Sequence, residues 1–154
     1  MAQVRRVSWG NAVIGGLLGV ALVLLFVFVV AEPMQAGLSR LGGIISVGTM
    51  VLVLALLRVV AGMWTAQLVR RRYEVLHRTE LLPTALAAAV IGWATYTALV
   101  LVAGAVMGTS DDVGRLFLDV LQWLFEYAIG AFLVSPQLPP ARPGPDAVAG
   151  RRRR

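Results

Sequence analysis

The sequence predicts an all-α fold, an integral membrane four-helix bundle with N- and C-termini cytoplasmic, and three observations carry that prediction. Of 154 residues, 58% are hydrophobic and only 14% are charged, far from the mix of a soluble domain. Four apolar segments of roughly 20 residues or more can be marked, each long enough for a ~30 Å hydrocarbon core, and in lipid a helix satisfies its own backbone. The basic residues, all arginine, gather beside the ends of those segments.

The first helix is expected over 11–31, "NAVIGGLLGVALVLLFVFVVA", preceded by Arg5, Arg6 and Trp9 and followed by Glu32 and Pro33. A basic start, an apolar run and "VVA" also fit a signal peptide. The run is ~20 residues instead of 7 to 15, and Pro33 would sit just past the cut, so an uncleaved spanning helix is the better reading. The second apolar stretch, 41–69, is ~29 residues long, counting Arg58 inside it, and must tilt or extend beyond the bilayer. The third, 84–108, starts after Pro83, and the fourth, 113–135, stops before Pro136; both prolines suit helix boundaries. These make one transmembrane domain over 1–135.

Orientation follows from the connections. "AEPMQAGLSR" and "GTSDDVGR" carry one Arg each, whereas "RRRYEVLHR" carries four, and both termini bear Arg. The positive-inside rule therefore puts both termini and the middle connection in the cytoplasm of a multi-pass cell-membrane protein. Within that connection "YEVLHRTELLP" has Glu74 four residues before Arg78 and four apolar residues, the pattern of a short helix on the membrane surface. The tail, 136–154, is Pro-rich, lacks an apolar period and ends in four arginines, so it reads as disordered.

The formal charge is +6. With the arginines beside apolar segments, the partners they imply are the lipid bilayer and its anionic lipids at the Arg-rich loop and tail, and no nucleic acid. Absence of Cys removes disulfides and thiolate sites together.

Two features go beyond threading. "AVIG" at 12–15 recurs at 89–92, and "ALVLL" at 21–25 recurs as "ALVLV" at 98–102, both 77 positions apart. A duplicated hairpin would produce this, and so would chance in an alphabet of Ala, Val, Leu and Gly. Pairs of glycines four apart, Gly15 with Gly19 and Gly104 with Gly108, allow close helix approach.

The second feature is polar. Arg58 lies about three residues, ~4.5 Å, from the midpoint of its helix, a depth where an arginine costs ~2.5 to 3.5 kcal/mol and needs a partner. In the fourth helix Asp119, Gln122 and Glu126 follow spacings of three and four and share one face, which Arg115 continues outward. Glu126 stands near the depth of Arg58, while Asp119 is ~10 Å nearer the outer surface, with Arg115 its natural neighbour. Tyr96, flanked by Thr95 and Thr97, is at the middle of the third helix. The expected intramembrane site is thus Arg58, Tyr96, Asp119, Gln122 and Glu126: Arg58 pairs with Glu126, and Tyr96 hydrogen-bonds to one of them. Such a Glu is either a fixed counter-ion or a proton carrier. Trp9, Trp64 and Tyr73 fit the cytoplasmic interface, and Trp93 and Trp123 fit packing.

His77 is the single histidine, so there is no histidine pair for a haem and no His or Cys cluster for zinc. No P-loop, dinucleotide fingerprint, nucleophile elbow or zinc-protease motif is present, and no cofactor, metal or enzymatic activity is expected. Asp111 with Asp112 could catch a cation, although their position suits a cap of the fourth helix better. The expected function is an accessory, assembly or anchoring subunit of a membrane complex. The alternative is a small oligomeric, proton-coupled transporter or channel with a path along Arg58, Glu126 and Asp119.

Overall fold

The computed structural model describes residues 7–38, 42–72, 80–108 and 113–134. The described chain forms α1 (Trp9–Leu25), a π-helical turn (Phe26–Val30), α2 (Ala31–Leu38), α3 (Gly43–Arg72), α4 (Leu82–Met107) and α5 (Val113–Leu133). Because α1, the π turn and α2 are continuous, these make four rods, as the composition predicts.

The first rod departs from expectation at Glu32 and Pro33, which continue the helix to Leu38 instead of ending it. A proline ring inside a helix clashes with the carbonyl four residues before it, here that of Val29. Val29 lies in the π turn, where the Ala31 N–H reaches back to the Phe26 carbonyl. The wider turn moves the obstructing carbonyl, and the rod passes the proline.

Glycine sets two of the other ends. Gly42, at φ +102°, leads into α3, and Gly108, at φ +71°, ends α4 with its N–H on the Gly104 carbonyl. Gly108 therefore terminates a helix, and among the described residues nothing packs against it, unlike the close-approach role its spacing suggests. Pro83 sits in the first turn of α4, where its missing N–H removes no helical bond. The surface helix expected around Glu74 and His77, the Asp111–Asp112 pair and the 136–154 tail lie outside the described residues.

Among the described residues three helices are long and apolar enough to cross a membrane: Trp9–Leu38, Gly43–Arg71 and Leu82–Met107, with mean hydropathies of 3.0, 2.5 and 2.0. The fourth, α5, packs between α3 and α4 in the same bundle. Outward-facing apolar side chains such as Ile44, Phe28 and Val106 are 92%, 78% and 82% exposed, a surface that only lipid tails would cover without penalty.

The helices pack as a ring, α1 on α4, α4 on α5, α5 on α3 and α3 on α1. Small residues bring the rods close: Ala12, Ala61, Ala88 and Ala89 are fully buried together with Trp123 and Tyr127. A second cluster of Ala66, Val69, Leu81, Ala85, Ala131 and Val134 closes the other end. Three threonine hydroxyls find backbone partners one turn back, Thr65 on Ala61, Thr95 on Ile91 and Thr49 on Ile45, which removes their cost in lipid, whereas the Thr97 hydroxyl is buried without a partner.

Candidate functional site

Arg58 on α3 and Glu126 on α5 are each only 5% exposed, and an Arg58 guanidinium nitrogen donates to Glu126 Oε2 at 3.2 Å. The second oxygen, Oε1, accepts from Gln122 Nε2 at 2.9 Å, one turn earlier on the same helix. Both carboxylate oxygens are therefore engaged. The guanidinium carbon lies 4.9 Å from the centre of the Trp123 ring, so the cation rests on an aromatic face. This stacking accompanies Arg58 Nε, which is buried without a hydrogen-bond partner, as is Trp123 Nε1.

Trp123 is the hub of the layer. Tyr127 stacks on it at 5.9 Å and 20°, and Tyr96 meets it at 6.1 Å and 35°. The Tyr127 hydroxyl donates to the Gly15 carbonyl at 3.1 Å, tying α5 to α1. The absence of a side chain at Gly15 and Gly19 lets Thr65 and the Tyr127 hydroxyl lie against α1, since a Cβ at either glycine would overlap them.

The structure thus brings together Arg58, Gln122 and Glu126. Tyr96 joins through its ring and not its hydroxyl: among the described residues no hydrogen bond links it to Arg58 or Glu126, because Trp123 fills the space between. Asp119 is half-buried and two turns away along α5; the side chain of Arg115, its expected neighbour, lies outside the described residues. Sequence reasoning missed the roles of Trp123 and Tyr127 in this layer. Their signal was position, since Trp123 is one turn from Glu126 on the same helix and Tyr127 is one turn from Trp123.

Beside the layer, between the π turn and α4, lies an open apolar groove of about 330 Å³. It is lined by Leu24, Val27, Phe28, Leu99, Val100, Ala103 and Tyr96. Among the described residues no group of three or more His, Cys, Asp or Glu side chains converges on a point where a metal ion would sit. The chemistry on view is a desolvated ion pair on an aromatic support, with both carboxylate oxygens engaged and Arg58 Nε left without a partner, which holds three helices at one depth.

The model of one protein family, CbiM, described as the cobalt uptake substrate-specific transmembrane region, matches residues 8–139. No curated protein and no solved structure matches the chain.

Proposed function

The chain belongs to the CbiM family of cobalt uptake transmembrane regions, and from that premise we propose that it is the component recognising cobalt ion during uptake within a larger membrane complex. It is a multi-pass protein of the cell membrane and a component of membrane transport, a family role that is not enzymatic. The observation that carries the reading is the extent of the match, which covers all four rods. It favours the transport alternative over an anchoring subunit.

No P-loop occurs in the sequence, so any nucleotide hydrolysis that drives uptake belongs to another subunit of the complex. Orientation in the complex follows the positive-inside rule, with both termini and the Arg-rich connection cytoplasmic and in contact with anionic lipid. The intramembrane polar site of Arg58, Tyr96, Asp119, Gln122 and Glu126 divides into two roles. Arg58, Gln122 and Glu126 hold the bundle on the Trp123 and Tyr96 rings, since both Glu126 oxygens are already engaged by Arg58 and Gln122 and the Arg58 charge in contact with the carboxylate opposes a bound cation. Asp119, nearer the outer surface, is the acid left to face an entering cation. Proton coupling would require Glu126 to release a partner before it could carry a proton, and both of its oxygens are held.

Cells that make the protein test the proposal. Removing the chain lowers accumulation of radiolabelled cobalt ion supplied at trace level, and restoring it returns uptake. Unchanged cobalt accumulation in the deletion would overturn the reading. Glu126→Gln with normal yield but lost pH dependence of uptake would make Glu126 a proton carrier.

A further inference from the structure

The rods come in two matching pairs. α1 and α4 run side by side in the same direction, with the Ser8 N–H on Thr84 Oγ1 at 3.2 Å and Gly16 against the Gly92 backbone. α3 and α5 also run in the same direction, joined by Arg58 with Glu126 and by Gly62 with Tyr127. Gly15 meets Thr65 and Gly19 meets Ala61, so α1 and α3 are antiparallel, and with both pairs parallel α4 and α5, which meet where Gly92 and Tyr96 touch Trp123, are antiparallel as well.

The crossing of α3 and α5 is reciprocal. Arg58 and Gly62 are each 68 positions from Glu126 and Gly130. A Cβ on Gly62 would stand 2.7 Å from the Tyr127 carbonyl, and one on Gly130 would strike the Val59 carbonyl. Val59 is the 68-residue counterpart of Tyr127, so each contact is the image of the other under one exchange of helices. This is the signature of a two-fold interface, in which residue i meets j and j meets i. The 77-residue recurrence of "AVIG" and "ALVL" sets α1 against α4, an offset nine residues longer than the 68 of α3 and α5, so the second hairpin matches the first only with a connection nine residues shorter. Arg58 and Glu126 map onto each other and so lie at the two-fold itself.

Like residues at such a point would put two like charges together in lipid. Two copies of the first hairpin would oppose Arg58 to Arg58, and two copies of the second would oppose Glu126 to Glu126. Only a first hairpin against a second gives a pair. We propose that the two hairpins are docking units of one geometry and that the opposite charges at their shared crossing dictate which unit accepts which. The partner this surface fits, besides the chain's own other half, is a second copy of the chain entering by exchange of hairpins.

The test uses full chains with two different tags. Arg58→Glu leaves two carboxylates at the crossing, and Glu126→Arg leaves two guanidiniums. Expressed alone, each yields at least about tenfold less folded protein than the parent chain. Expressed together, they rescue each other and purify as a complex bearing both tags, because exchanging hairpins restores an opposite pair at both crossings. Arg58→Glu with Glu126→Arg in a single chain folds without a partner. Failure of the co-expressed chains to rescue each other while the single-chain exchange folds would overturn hairpin exchange. Failure of the single-chain exchange, or normal folding of either variant alone, would overturn the charge rule.

Discussion

Arg58 is held at two places, by the carboxylate of Glu126 and by the face of Trp123, and Glu126 is held at two, by Arg58 and Gln122. Removing one member of such a pair leaves the other charged and desolvated, which costs about 3 to 5 kcal/mol, while removing both is far milder. Arg58→Leu and Glu126→Gln should therefore each lower thermal stability in detergent by several degrees or prevent folding, and the double variant should recover part of the loss. Additive losses would mean that the two side chains do not act together. Tyr127→Phe removes one buried hydrogen bond, to the Gly15 carbonyl, and should cost only about 0.5 to 1.5 kcal/mol, measured the same way. The Arg58 and Glu126 contact was legible because depth and period alone place both at mid-helix. The aromatic support was not, because the contact of Trp123 with Arg58 depends on how α3 and α5 are rotated against each other. A single helix period does not specify that rotation.

Among the elements, the close crossing of α3 and α5 depends on Gly62 and Gly130, where backbone meets backbone. Gly130→Leu should separate the helices and break the ion pair one turn away, abolishing folded yield. At Gly108 the expectation is different in kind: φ is +71° and the site is open, so Gly108→Ala should cost about 1 kcal/mol through backbone strain alone and leave the bundle assembled. Comparing melting temperatures of the two variants in one detergent separates the effects. A mild Gly130→Leu would show that the crossing has slack. Both glycines are visible in the sequence, yet their roles differ for reasons the spacing hides. Gly104 and Gly108 have the four-residue interval of a packing pair, but the second ends its helix. The extension of the first rod past Pro33 was equally hidden, since it requires the π turn to move the Val29 carbonyl.

For the whole molecule, four rods follow from apolar length alone, and their side-by-side order follows from where the small residues lie. Which face looks outward is set instead by charge. The last turn of α3 carries Arg70, Arg71 and Arg72, whereas α2, at the opposite end of the bundle, carries the exposed acid Glu32 and no base. By the positive-inside rule this difference predicts an orientation that has no counterpart in the packing, since the rods would assemble identically either way up. The absence of any native cysteine makes the orientation directly measurable. Gln35 in α2 and Arg71 near the end of α3 are both exposed and lie at opposite ends of the bundle. A membrane-impermeant maleimide should label Gln35→Cys on intact cells and label Arg71→Cys only after the membrane is opened. The reverse pattern would invert the protein and place the four-arginine connection outside. It would also put Asp119 on the cytoplasmic half of α5, where it would meet a cation leaving the bundle instead of one entering.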